Sequence, residues 1–369
     1  MMTKTNKPGA RSWPIRLWGT FFGNLFSTPA SALASVLVLT CLWLAAPPLV
    51  NWLWFDAHFS VTTASQCQTA AGASPGACWA FIADKYRLIL FGLYPFEQQW
   101  RPLLACVLLI ALVVTSARAT SNPSRQRHTR LALAWIISLP CVALLMWGGA
   151  FTLPYVENRL WGGLPLTLIL AVFGIALAFP LGVLLALGRR SSMPALRALC
   201  VAYIELIRGV PLISLLFMAS VMFPLFLPEN WEVDKLLRAQ LAIVLFVAAY
   251  IAETVRGGLQ SLPQGQFDAA AALGLNYWQQ MRHVILPQAL ATVIGPLTGL
   301  FISLFKDTSL VMVIGLFDLT QAAKAAVADA QWQGYSLEAY AFIAAIYFVF
   351  CWSMSRYSRT LEQRTEHAS

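Results

Sequence analysis

Few side chains in this sequence have the type and spacing to do chemistry, and they fall into three groups. Glu205 and Arg208 stand in Glu-Leu-Ile-Arg-Gly, and Glu253 and Arg256 in Glu-Thr-Val-Arg-Gly, so E-x-x-R-G occurs twice. A carboxylate and a guanidinium three residues apart share a helix face and can pair. Such a pair softens the cost of charge near hydrocarbon; plain structural ion pairs and a gate are both open readings. The second group is Lys306-Asp307-Thr308-Ser309, which offers both signs of charge and two hydroxyls to a charged solute crossing an apolar path. The third is Cys67 and Cys78, two thiols in one polar stretch.

Other chemistry has no support. There is no G-x-x-x-x-G-K-[ST], and no lysine follows a glycine, so a P-loop is not carried here. There is no H-E-x-x-H, and His58, His128, His283 and His367 are scattered, so no metal site and no catalytic residue is expected.

The elements that must position these groups are membrane spans. The chain has 369 residues, 59% hydrophobic and 11% charged, with mean hydropathy +0.66. A soluble domain is nearer about 25% charged. The net charge of +9 would suggest nucleic acid in a soluble protein, but here the basic residues cluster at the ends of apolar runs. That is the positive-inside pattern, and no nucleic-acid partner is expected.

Lys4, Lys7, Arg11 and Arg16 precede a first span at about 31–54, which reads as an uncleaved anchor with the N-terminus inside. Residues 56–100 read as an external loop with a partly apolar second half at 88–96. A short second span at 102–115 either starts earlier or tilts, since a bilayer needs about 20 residues. Further spans are expected at 131–151, 164–187, 201–227, 241–259, 284–305 and 337–354. Arg118, Arg125, Arg127, Arg130, Arg189, Arg190, Arg197, Arg356, Arg359 and Arg364 fall in inner segments. The patch 310–317 is too short to span and reads as a re-entrant or broken helix. This gives eight spans with both termini inside.

The stretch 265–287, GQFDAAAALGLNYWQQMRHVILP, is the longest polar segment between two apolar spans in the second half. Pro263 and Gly265 break the preceding helix. From Phe267 onward one short helix is predicted, with Phe267, Ala270, Ala271, Gly274, Tyr277, Trp278 and Met281 on one face. Gly274 inside a helix costs about 1 kcal/mol against Ala, tolerable if another group must come close. A helix lying on lipid headgroups is one reading.

The order of an acid, two alanines, a glycine and a Leu-Pro ending, here Asp268-Ala269-Ala270, Gly274 and Val284-Ile285-Leu286-Pro287, resembles the EAA loop of ABC-importer permeases. Asp replaces Glu at 268 and Val replaces Ile at 284. The resemblance implies a coupling helix over 265–283 that docks in a groove of a cytoplasmic ATPase, with Gly265, Gln266, Asp268, Ala269, Ala270, Gly274 and Pro287 as coupling residues. YIELIRGVP (203–211), AETVRGG (252–258) and FISLFKDTSL (301–310) resemble the polar amino-acid branch of these permeases (histidine, glutamine, arginine and general L-amino-acid importers). That resemblance covers about 162–359.

The resemblance implies an all-α integral membrane protein of about eight transmembrane helices. A type I ABC importer permease core of five helices (161–360) follows a three-helix N-terminal extension (1–160) with a periplasmic loop, and residues 361–369 form a cytoplasmic tail. The extension looks like that of the longer permease subunits of general L-amino-acid importers. The implied function is ATP-driven, binding-protein-dependent import of L-amino acids with broad specificity, by alternating access in the bacterial inner membrane. The implied partners are an ATPase dimer that binds ATP and Mg, a second related permease in a heterodimer, a periplasmic amino-acid-binding protein and membrane lipid. No cofactor is held by this chain, and Lys306, Asp307, Thr308 and Ser309 are candidates for the substrate path. The alternative is a secondary amino-acid transporter driven by an ion gradient, which favours inverted repeats and midplane charges. No convincing repeat is evident, and most charges sit at span ends.

Cys41, Cys106, Cys141, Cys200 and Cys351 fall in apolar spans, where cysteine behaves as a small hydrophobe. Cys67 and Cys78 share the one external loop, and an oxidising periplasm favours their pairing. The segment 68–77 between them is small and turn-prone. A bridge there stabilises the loop by roughly 3 kcal/mol in the chain-entropy model; two free thiols are the other reading. Alkylation of the purified protein without reductant, followed by peptide mapping, is expected to leave both cysteines unmodified. Singly alkylated Cys67 and Cys78 would refute the bridge.

Overall fold

The computed structural model describes residues 26–61, 66–67, 76–120, 125–150, 152–228 and 231–366. Expectations that rest on the basic residues before 26, on 68–75, on 121–124, on Glu229 and Asn230, or on His367 lie outside the described residues. The chain forms two compact units, 1–80 and 81–369.

In the first unit, Thr28 starts helix α1 (Pro29–Val50) with a reciprocal cap. Its hydroxyl accepts from the Ser31 N–H at 3.2 Å, and the Ser31 hydroxyl accepts from the Thr28 N–H at 2.9 Å. Pro29 suits the first turn, where its missing N–H is not needed. Pro47 and Pro48 near the other end remove two donors. The helix then widens into a π turn, Asn51–Phe55. Together they make an apolar rod of 27 residues, long enough to cross a membrane. Beyond it, the Ala77 N–H donates to Trp52 O at 2.8 Å and the Trp79 indole to Leu53 O at 2.9 Å. Cys67 and Cys78 are bonded to each other, with Cα atoms 6.1 Å apart.

The second unit takes in α2 (Trp79–Phe91) from Phe81 onward, α3 (Trp100–Thr120), α4 (Arg125–Trp147) and α5 (Gly163–Arg189). The second span is thus longer than the apolar run 102–115, because its first turn recruits Trp100 and Arg101. Arg101 is fully buried, and its guanidinium faces the end of α4. It donates to Leu145 O at 2.7 Å and Pro154 O at 3.0 Å, while the Tyr94 hydroxyl donates to Met146 O at 3.0 Å. Carbonyls at a helix C-terminus lack intrahelical partners, and these donors supply them. Burial pushes the Tyr94 hydroxyl pKa up to about 12.

The central pair is α5 against α8 (Lys235–Ser261). Between them in sequence, a single fifth span over 201–227 was expected, and the structure corrects this. α6 (Pro194–Arg208) ends at Gly209, and α7 (Leu212–Phe217) leaves at 102° to it. Pro211 has no N–H and pushes Val210 out of the helical region, so the helix cannot run through. The second arm continues through a π turn, Met218–Met222, and a 3-10 turn, Phe223–Phe226. Arg238 donates to the carbonyls of Ala219 and Ser220 in the π turn.

The seventh span also differs from the expected 284–305. α11 (Leu286–Thr292) stops at Val293, since Pro296 offers no N–H to Thr292. α12 (Ile294–Asp307) then continues as a 3-10 turn, Thr308–Ile314, ending at Gly315. Most of the patch 310–317 therefore forms the C-terminal end of this segment, whose membrane-length part is Ile294–Ile314. Phe317 and Asp318 bridge to Gly162 and Gly163. Asp318 is buried, caps α13 (Leu319–Val327) through the Thr320 and Gln321 N–H groups, and has its pKa raised by that burial. α14 (Ser336–Glu366) packs on α12 and α13.

Residues 81–91, expected as loop, are helical and clasp the loop after α13. Lys85 pairs with Asp329 at 2.7 Å, and the Trp332 indole donates to Asp84 at 2.9 Å. The Asp329 carboxylate beside it holds the Lys85 ammonium above its ordinary pKa. Among the described residues seven helices are long and apolar enough to cross a membrane, or eight if α6 and the bent arm after it count as one span.

Candidate coupling and transport site

The C-terminal end of α8 is locked to α11, and the polar stretch 265–287 lies between them. A Cβ at Gly258 would lie 2.4 Å from the Ala289 carbonyl, so only glycine lets the two backbones meet. The Ser261 and Thr292 hydroxyls approach to 3.3 Å beside this contact.

The single helix expected from Phe267 to Arg282 is two. α9 (Gln264–Ala272) starts at Pro263, earlier than expected, and stops at Leu273. Gly274 has φ +74°, and a Cβ there would meet nothing within 4 Å. Its role in this chain is thus the left-handed turn, not a close approach inside a helix. Asn276 and Gln279 then cap α10 (Tyr277–Gln280) reciprocally, each side chain bonding the other's N–H at 3.0 Å. A π turn, Met281–Ile285, leads into α11. Pro287 lies in the first turn of α11 and cannot donate to the chain behind it. Gln288 instead donates to Val284 O at 2.9 Å and reaches back to the Gln266 side chain at 3.0 Å.

The predicted apolar face divides accordingly. Phe267, Ala270 and Met281 turn toward the rest of the chain. Ala271, Gly274, Tyr277 and Trp278 stay exposed, together with Gly265, Asp268, Ala269 and Leu273. Leu273 is 78% exposed and Trp278 65%. The Tyr277 and Trp278 rings meet edge-on at 5.6 Å. The result is a short, rigid knob with an apolar, aromatic-edged tip. Asp268 accepts from Gln264 at 3.3 Å on its flank.

The two E-x-x-R-G motifs come together above this knob, with one correction. Glu253 pairs with Arg256 as expected, Arg256 Nε lying 2.9 Å away. Glu205 does not pair with Arg208. It takes Arg189 at 2.8 Å, and Arg208 instead faces Glu253 at 3.8 Å. Arg189 also lies 3.4 Å from Glu253. One carboxylate on α8 therefore gathers arginines from α5, α6 and its own helix. The i,i+3 spacing permits a local pair, but the packing of three helices offers Arg208 a less exposed carboxylate. Arg189 is the member that sequence reading missed. Its only signal was a position at the inner end of a span.

Lys306 to Ser309 lie within Ile294–Ile314, just past its midpoint, rather than following a span that ends at 305. Lys306 is exposed on this chain, and Asp307 and Ser309 are half-buried. Thr308 is buried, with its hydroxyl on Phe305 O at 2.8 Å, so it serves the helix rather than a path. A separate open groove of about 400 Å³ is lined by Ile213, Ser214, Phe217, Met218, Met222 and Val313, and includes none of these four.

The chain is a bundle of membrane-length helices, one of them broken, with a capped knob between two of them. Residues 178–367 match the family of binding-protein-dependent transport system inner membrane components, and the chain belongs to it. It is 50% identical over 343 residues to the inner membrane amino-acid ABC transporter permease protein YhdY of Escherichia coli (strain K12), covering 92% of this chain and 91% of that one. It is 37% identical over 398 residues to the glutamate/glutamine/aspartate/asparagine transport system permease protein BztC of Rhodobacter capsulatus, covering 92% of each. It is 34% identical over 207 residues to the probable glutamine ABC transporter permease protein GlnP of Bacillus subtilis (strain 168), covering 56% of this chain and 93% of that one.

The asymmetry of the arginine cluster is measurable. Glu253→Gln leaves three guanidiniums short of a partly buried partner and is expected to cost about 1–3 kcal/mol. Glu205→Gln, at a more exposed carboxylate, should cost under about 1 kcal/mol. Thermal unfolding of the purified variants in one detergent gives the order; equal losses would contradict the hub.

Proposed function

We propose that this chain is a permease subunit of an ATP-driven importer of L-amino acids with broad specificity, and that residues 265–287 couple it to a separate ATPase dimer. The observation that carries the coupling is the knob. An apolar tip of Leu273, Tyr277 and Trp278 with neighbouring alanines is exposed, yet it is capped and braced as a rigid piece. Gly265 and Gly274 have open space around them, so a partner's groove can close over the backbone there. The amino-acid cargo is supported by the names of the two full-length relatives.

The partner ATPase binds ATP and Mg; this chain contributes no cofactor. A second, related permease completes the path in a heterodimer, and a periplasmic binding protein delivers the cargo. The protein sits in a bacterial inner membrane with both termini cytoplasmic, in keeping with the inner arginines. Residues 161–360 are the transport core and 1–160 an extension, a division supported by GlnP, which matches only 56% of this chain across nearly its whole length. Lys306 and Asp307 face the substrate path: a charged group at mid-span needs a reason to be there, and a zwitterion supplies one.

In vesicles holding the complete complex, uptake should require ATP inside and binding protein outside. Asp268→Lys or Gly274→Trp should abolish it while the chain still inserts. Normal uptake in both variants with the ATPase still bound removes the coupling role. Uptake driven by an ion gradient without ATP returns the chain to the secondary-transporter alternative.

Lys306→Met and Asp307→Asn should each change uptake rate or amino-acid preference by roughly tenfold, the scale of one lost charged contact. Rates and preferences equal to those of the parent protein place the path elsewhere.

A further inference from the structure

We infer that Arg190 is a positioning residue that ties the coupling helix α9 to α5, so that motion of the knob reaches the other half of the central helix pair. The inference rests on the coupling reading above and adds a route to it. Arg190 directly follows the last residue of α5. Its Nη1 donates to Leu259 O at 3.1 Å, near the C-terminus of α8. Its guanidinium also lies 5.3 Å from the ring centre of Phe267, within range of a cation–π contact. Phe267 is the first large side chain of α9, and it packs against the core below.

The neighbouring Arg189 reaches Glu205 and Glu253. Two successive guanidiniums at the end of α5 thus take hold of different things. One enters the carboxylate hub between α6 and α8. The other crosses the end of α8 and covers α9.

Two further ties of α9 lead elsewhere. It is joined covalently to α8 through Leu262 and Pro263, and its Gln266 side chain accepts from Gln288 on α11. Neither touches α5. A push on the exposed tip reaches α8 and α11 directly and α5 through the packing of the central pair, and Arg190 adds a direct side-chain tie from α9 to the end of α5. Arginine suits the task because its planar fork can stack on a ring and donate to a carbonyl at once.

The test uses the complete complex in vesicles, with amino acid imported per ATP hydrolysed as the readout. Arg190→Ala should lower this ratio roughly two- to tenfold while the ATPase still co-purifies and hydrolyses ATP. Phe267→Leu should do the same, and the double variant should be no worse than the stronger single one, since both remove one contact. Arg190→Lys, which keeps the cation and one donor, should recover part of the ratio. Arg197→Ala, another inner arginine, should leave it unchanged. A parental ratio in Arg190→Ala, or an equal fall in Arg197→Ala, overturns the inference. If Asp268→Lys also keeps a parental ratio, the coupling reading itself fails; if Asp268→Lys uncouples and Arg190→Ala does not, only the role of Arg190 fails.

Discussion

A span that breaks inside a membrane frees backbone carbonyls where water is scarce, and each must find a donor within the protein. The same demand arises at helix ends, and in this chain side chains meet it at both ends and breaks. Arg101 and Tyr94 serve the end of α4. Arg238 serves the π turn after α7. Gln288 serves the turn before Pro287, and Arg190 the end of α8. The donors sit on a different element from the break, or one turn further on. Each such end or break is thus also a tie between segments.

The same economy shapes the inner face. Glu253 draws arginines from three helices, and Gly258 lets α8 and α11 touch backbone to backbone. The knob 265–285 hangs from this clamp with its apolar tip outward. It is capped where it is held and exposed at its tip. The mid-span charges Lys306 and Asp307 belong to another part of the molecule, on α12. The break at Val293 separates them from the contacts of the clamp on α11.

Much of this was legible in the sequence. Composition and positive-inside charge gave membrane spans whose approximate places hold, because lipid demands apolar length and nothing subtler. The Asp-Ala-Ala, Gly and Leu-Pro spacing located the knob, and family membership agrees with the resemblance drawn from it. The errors lie where a proline's local effect competes with a continuous apolar run. Hydropathy reads across Pro211 and Pro296, but the missing N–H does not. Gly274 was a similar case: the sequence located a special residue, and only the backbone shows that it is a left-handed turn between two helices.

The sequence by itself determined the class of the protein, the approximate places of most apolar spans and the position of the knob, since these depend on local composition and short-range spacing. Tertiary structure decided the pairs that run between helices. Glu205 and Arg208 are one turn apart and could have closed on each other, yet each turned to a residue brought in by another helix. Arg189 and Arg190 are adjacent and chemically identical, yet one enters the carboxylate hub and the other crosses α8 to Phe267. Long charged side chains reach several partners, and the one they take is set by which helices pack beside them, which no local spacing encodes.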